Sequence, residues 1–292
     1  MQKLPYNELS EICNQLGEGW PKSIKQVFGG DIHNSWQIEF DHTKFFLKRN
    51  ARTEKFLKFE ESCLKNLQKY INDENLVIPK IISYLEIDNI ELLLMEWMDM
   101  KNSNQQKLGK GLGEMHIESN KFNPKSFGYN LDGYIGTNNQ KKGWEKNWIK
   151  CFINLRIEPQ LAMLEKDFLE IDIKNKIKSK IKSQLHNHEP FNALIHGDLW
   201  AGNIGVNQTN KGVIFDPACW WADCEVDIAM TKLFGMFRRE FYENYYKIVP
   251  KKKGFENRTT IYNFYHILNH ANMFGGSYCH QVKSYIKNIL SM

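Results

Sequence analysis

No apolar run in this chain approaches the ~18 residues that a membrane-spanning helix needs, and its opening, MQKLPYNELSEIC, lacks the apolar centre of a secretion signal. A cytoplasmic protein with no membrane partner is expected. Cysteine is sparse: the six, at 13, 63, 151, 219, 224 and 279, show no CxxC spacing and fall well short of a disulfide scaffold. They read as reduced thiols, most of them in the core. Cys219 and Cys224 form a close pair without a His or Cys at zinc-ligand spacing, so no metal site is expected there. The 8 prolines and 19 glycines exclude fibres and long linkers. Charge of one sign is lacking too, because 39 Lys and Arg against 34 Asp and Glu leave +5 spread along the chain, which motivates no nucleic-acid partner. Lys251 to Lys253, and the lysines from Lys174 to Lys182 that alternate with isoleucines, read as solvated faces.

What is present is a chain of 292 residues, 42% of them hydrophobic, enough for one large domain or two modest ones with a sizeable core. The first third reads as β-rich. SWQIEF (35–40) and TKFFLK (43–48), separated by Asp41 and His42, predict a hairpin, and LVIPKIISYL (76–85) and IELLLMEW (90–97), around Asp88 and Asn89, predict a second. Between them, residues 53–71 place Phe56, Leu57, Cys63, Leu64, Leu67 and Ile71 at helical spacing. The polar stretch after Met100 marks a boundary, dividing the chain into 1–98 and 99–292. Beyond it, helical periodicity covers 105–119, 144–165, 167–186, 225–248 and 258–290, interrupted by short β runs at 192–196, 203–206 and 212–216.

Those interruptions coincide with the polar residues. HGDLWAGN (196–203) is followed by a hydrophobic strand that ends in Asp216, Pro217 and Ala218. An Asp, an Asn five residues later and a strand-end Asp is the spacing of kinase-type phosphoryl transfer. Such a reaction needs Mg²⁺ on the phosphates of ATP and a carboxylate to orient the attacking hydroxyl. Asp198 is the expected catalytic carboxylate, and Asn203 and Asp216, both hard oxygen donors, the expected metal ligands. Lys48, at the end of TKFFLK, is the expected phosphate lysine. Its partner on the helix is Glu60, which falls in the middle of the apolar stripe, rather than Glu61 at its edge, because an acid on a buried face needs a cation. Gly29, Gly30 and Asp31 offer a turn through which backbone amides can approach the phosphates. Met95, Glu96, Trp97 and Met98, at the lobe boundary, are candidates for the adenine wall or for ordinary core.

Taken together these residues resemble the fructosamine kinase (ketoamine kinase) family. The likeness includes GGDI (29–32), FLK (46–48), EESCLKNL (60–67), LGKGLGEMH (108–116), YIG (134–136), the spaced W, W, F, R and PQL of 144–161, HGDLWAGN, DPACWW (216–221), EVDIAM (225–230) and the tail from Arg258 to Tyr278. The resemblance implies an α+β, two-lobed protein-kinase-like fold with a small β-rich N-lobe and a larger, mainly helical C-lobe. It implies ATP- and Mg²⁺-dependent phosphorylation of a sugar hydroxyl in a ketoamine, free or protein-linked, which destabilises the adduct and leads to deglycation. A monomer is expected. Trp200 and Trp220 are candidate platforms for the sugar ring, and Asp132, Glu225 and Asp223 candidate partners for the linked amine. Asp227 is expected to support the catalytic-loop backbone and His196 to brace the loop. The chain departs from the family pattern at Gly133, Ala222 and Cys224, where Asn, Gly and Arg are usual. Kinases of aminoglycosides or choline, and a non-catalytic nucleotide-binding module, are the competing readings.

Overall fold

The computed structural model describes residues 3–27, 34–165 and 168–292, so the turn holding Gly29, Gly30 and Asp31 lies outside the described residues. The chain opens with a helix the sequence did not announce, α1 (Tyr6–Leu16), ending at Gly17 in the left-handed region. It continues through β1 (Ser23–Val27), β2 (Asn34–Glu39), β3 (Lys44–Asn50), α2 (Phe56–Gln68), β4 (Leu76–Val77), β5 (Ile81–Ile87) and β6 (Ile90–Glu96). Five of these strands form an antiparallel sheet in the order β1-β2-β3-β6-β5. Asp88 and Asn89, both at positive φ, close the β5–β6 hairpin as a primed turn requires. One face of the sheet buries Trp36, Ile38, Leu47, Leu92 and Leu94 against Leu9 and Ile12 of α1. The other face receives α2.

The run 76–85, expected as one strand, is two. Pro79 intervenes, and β4 leaves the first sheet to pair in parallel with β13 (Gly212–Ile214) of the second lobe. A chain tie between the lobes results.

After Glu96 the chain runs through α3 (Gln106–Lys121), β7 (Phe127–Tyr129), β8 (Gly133–Ile135), β9 (Asn138–Gln140), β10 (Gly143–Glu145), α4 (Trp148–Phe152), a π turn (Ile153–Ile157), α5 (Glu158–Met163), α6 (Ile171–Leu185), β11 (Asn192–Ile195), β12 (Ile204–Val206) and β13. It finishes with β14 (Trp220–Asp223), α7 (Glu225–Leu233), α8 (Arg239–Ile248), α9 (Phe255–Phe274) and α10 (Ser277–Ser291). The helical segments 225–248 and 258–290 are each broken once. Gly235 and Met236 at positive φ separate α7 from α8, and Gly275 and Gly276 separate α9 from α10. The small strands β7 to β10 and β14 were not legible, being only three or four residues long. In the second lobe β11 and β14 pair under the HGDLWAGN segment, while α7 and α9 pack side by side behind it. No described helix is long and apolar enough to cross a membrane.

Candidate active site

The sheet of the first lobe delivers Lys48. In the middle of β3 and only 5% exposed, its ammonium meets Glu60 of α2 through both carboxylate oxygens, at 2.8 and 2.9 Å. The same ammonium bonds Asp216, which follows β13 in the second lobe. Glu60 thus sits where the helical stripe placed it. Glu61 turns instead to Lys58 and Lys65, its neighbours on α2.

One ammonium between two carboxylates sets their protonation. Burial lifts Glu60 to about 7, and the neighbouring charge of Asp216 adds to this while Lys48 opposes it. For Asp216 burial pulls upward too, but the charge and hydrogen bond of Lys48 outweigh it and hold the carboxyl below its ordinary value. For Lys48 burial pulls downward, but the charges and hydrogen bonds of Asp216 and Glu60 outweigh it and hold the ammonium above its ordinary value. Asp216 has φ 57, a left-handed conformation that is strained for a non-glycine residue.

Asp198 and Asn203 come from the loop between β11 and β12. Asn203 donates Nδ2 to the carbonyl of Asp198 (2.9 Å) and to its carboxylate (3.2 Å), which leaves its Oδ1 free for a cation. Its own carbonyl accepts from Phe215 N (3.1 Å), fastening the loop to the segment of Asp216. Burial raises Asp198 to about 7, with the charge of Asp216 adding to the effect and the Asn203 hydrogen bond opposing it.

The underside of this loop is held by hydrogen bonds to buried groups. Asp227 of α7, fully buried, accepts from the backbone N–H of His196 and Gly197, each at 2.8 Å, and contacts His116 Nε2 at 3.2 Å. Burial pulls Asp227 upward, but these bonds, His116 foremost, keep it below the usual carboxylate range. His196 Nε2 donates to the carbonyl of Phe215 at 2.9 Å, so its Nδ1 is left to accept from Asp198 N at 3.3 Å. Burial lowers the pKa of this imidazole, which stays neutral as a brace. Gly197 has φ 84, and a Cβ there would lie 2.1 Å from the carbonyl of Ala218, so only glycine lets the loop approach this closely. At Gly202 a Cβ would strike the Trp200 ring at 2.2 Å. The half-buried indole of Trp200 therefore folds back over its own loop, with Phe234 edge-on at 6.2 Å.

At the lobe boundary Met95 is buried in the sheet, while Glu96, Trp97 and Met98 are half-buried. The backbone N–H of Glu96 goes to Lys80 O (2.9 Å) and that of Trp97 to Lys44 O (3.2 Å). Trp97 lies against Phe46 with ring centroids 6.2 Å apart.

The tentative substrate residues need correction. Trp220 is fully buried between Trp148, stacked at 5.6 Å, and the guanidinium of Arg156, 4.0 Å from its ring centroid. It is core and has no free face for a sugar. Glu225 is bound through both oxygens by Arg258, at 2.5 and 2.8 Å, so its charge is not free for an amine. Asp223 accepts from Tyr262 (2.7 Å) and His188 (2.6 Å) and is fully buried. Asp132 is exposed and holds Lys142 through its backbone N–H (3.0 Å) and its ammonium (2.9 Å). Next to it, Gly133 has no room for the family's Asn, since a Cβ would lie 2.2 Å from the Phe59 ring. Sequence reasoning missed Glu91 and Arg156. The signal for Glu91 was a lone acid at the start of an apolar strand, and the signal for Arg156 was an arginine inside an aromatic pattern.

Two carboxylates, Glu60 and Asp216, thus share one ammonium, and a third, Asp198, close enough to feel the charge of Asp216, meets only the amide of Asn203, whose oxygen is to spare. That donor set fits a hard divalent cation. A small β-sheet lobe that carries a Lys–Glu pair, over a helical lobe that carries this Asp, Asn and Asp set, defines a phosphotransferase of the protein-kinase-like class. The fructosamine kinase family model matches residues 7–292, and the chain belongs to that family. A Vibrio parahaemolyticus protein assigned as a ketoamine kinase is 37% identical over 91% of this chain and 92% of its own. Mouse ketosamine-3-kinase is 29% identical over 91% and 94%. The crystal structure of a Haemophilus somnus protein assigned as a fructosamine-3-kinase superposes with a TM-score of 0.85 at 25% identity, covering 97% of this chain and 96% of that one.

Proposed function

We propose that this protein transfers the γ-phosphoryl group of ATP, with Mg²⁺, to a sugar hydroxyl of a ketoamine. The observation that carries this reading is an excess of carboxylate over cation: Lys48 serves both Glu60 and Asp216, and Asp198, within reach of the charge of Asp216, has only the amide of Asn203. Residues 1–98 form the nucleotide lobe, in which Lys48, held by Glu60, faces the phosphates while the chain from Met95 to Met98 lies along the base. The turn of Gly29, Gly30 and Asp31 is assigned the phosphate-covering role on sequence grounds alone. Residues 99–292 form the catalytic and acceptor lobe.

Asn203 Oδ1 and Asp216 would hold the metal, which when bound neutralises charge on the phosphates. Asp198 accepts the proton of the sugar hydroxyl and aims it in line with the γ-phosphorus. A raised pKa suits that task, because a base that titrates near neutrality both accepts the proton and releases it afterwards. The sugar ring packs on Trp200. Phosphorylation destabilises the adduct, and the amine is freed.

The test is kcat/KM for ATP consumption with fructosyl-lysine, ribulosyl-lysine, the matching free sugars, an aminoglycoside and choline. The ketoamines are expected to exceed the free sugars by roughly tenfold or more. Equal values with and without the amine would make this a sugar kinase instead.

A further inference from the structure

Helix α2 carries Glu60 yet begins without a cap of its own. Lys55 stands at its N-cap position with no side-chain hydrogen bond, and its first turn holds no acid. The free amides and the positive end of the helix need a partner from elsewhere. It comes from β6. Glu91, fully buried, accepts from the backbone N–H of Leu57 (3.2 Å) and Lys58 (3.0 Å). It also accepts from the Tyr84 hydroxyl of β5 (2.7 Å) and from Asn50 Nδ2 of β3 (2.7 Å).

The register explains why this matters for the site. Asn50 lies opposite Glu91 and Lys48 opposite Leu93, so Lys48, Asn50 and Glu91 share the sheet face that meets α2. Lys48 holds the helix at Glu60, and Glu91 holds it one turn earlier, at Leu57 and Lys58. Two tethers from one sheet face, a turn apart, fix both the position of the helix and its rotation. With one tether, α2 could turn about its axis and carry Glu60 off the ammonium.

We propose that Glu91 is a positioning residue for phosphoryl transfer: it sets the start and rotation of α2 so that Glu60 meets Lys48, without itself touching the nucleotide. The inference rests on the nucleotide role proposed above for Lys48 and Glu60. Glu91→Gln keeps the size and removes the charge. It is expected to raise KM for ATP about tenfold while leaving KM for the ketoamine within about twofold, a split that general destabilisation does not produce.

Two controls separate positioning from stability. Lys55→Asp gives α2 a local cap at the expense of an exposed pair with Glu86. In the Lys55→Asp/Glu91→Gln variant, Tm is expected to return toward wild type while the raised KM for ATP persists. Recovery of KM together with Tm would overturn the inference, because Glu91 would then be a cap and no more. Combining Glu60→Gln with Glu91→Gln is expected to be no worse than Glu60→Gln alone, since both act through one pair; additive losses would overturn it. If Glu60→Gln alone leaves KM for ATP unchanged, the nucleotide reading of the pair fails first, and Glu91 loses its role with it.

Discussion

The cleft around Lys48 and the junction of β14 with α7 each gather acids and bases, and the two clusters differ in how fully their charges are matched. At α7, Asp223 and Glu225 meet His188 and Arg258: Arg258 engages both oxygens of Glu225, and His188 and Tyr262 satisfy Asp223. The ligand atoms of His188, Asp223 and Glu225 lie close enough to hold a metal, but their lone pairs are already in use. In the cleft, Glu60 and Asp216 share Lys48, while Asp198 beside them meets only the amide of Asn203. A count of charged groups would rank the two clusters alike; the charge left unmatched separates a strut from a site.

The comparison breaks most visibly at Asp198. Asp198→Asn is expected to lower kcat by a factor on the order of 10² to 10⁴ with ATP affinity kept, since the amide has the shape of the carboxylate but cannot take the proton. Steady-state kinetics beside a nucleotide titration checks this, and near-normal turnover would remove Asp198 from the chemistry. At the other cluster, Glu225→Gln is expected to cost about 3 kcal/mol of stability, the usual result of stranding one member of a buried ion pair. Denaturant unfolding reads that loss, and kcat/KM of the folded variant should match wild type. Lys48→Ala is expected to lower kcat/KM for ATP about a hundredfold, or about 2.7 kcal/mol. Its unfolding midpoint should fall as well, because Glu60 and Asp216 lose the cation they share. The smallest effect is assigned to Asp132→Asn, where kcat/KM for a ketoamine should change by less than about twofold, because an exposed pair with Lys142 contributes little. A larger drop would return Asp132 to the acceptor site.

The same contrast explains what the sequence could and could not reveal. HGDLWAGN was legible as a site because the proposed base, the proposed amide ligand and the glycines that let the loop turn are packed into eight consecutive residues. Glu60 was legible because a helix places side chains by arithmetic, and an acid in the middle of an apolar stripe demands a cation. Trp220 was misread because its burial is decided by Trp148 and Arg156, which no local pattern ties to it. Glu225 was misread for the same reason, its partner Arg258 lying on another helix. The break of 76–85 was missed although Pro79 marks it, and the parallel pairing of β4 with β13 had no local signal, since it joins segments far apart in the chain. Short-range geometry carries the proposed chemistry of the cleft, and long-range packing decides which neighbouring residues are free to serve it.

The most direct test of the unmatched charge is calorimetric titration of ATP, with and without Mg²⁺, into the wild type, Asp216→Asn and Glu225→Gln. Mg²⁺ is expected to strengthen ATP binding in the wild type and in Glu225→Gln and to have no such effect in Asp216→Asn. Tightening by Mg²⁺ that survives in Asp216→Asn, or that disappears in Glu225→Gln, would contradict the assignment of the cleft as the cation site.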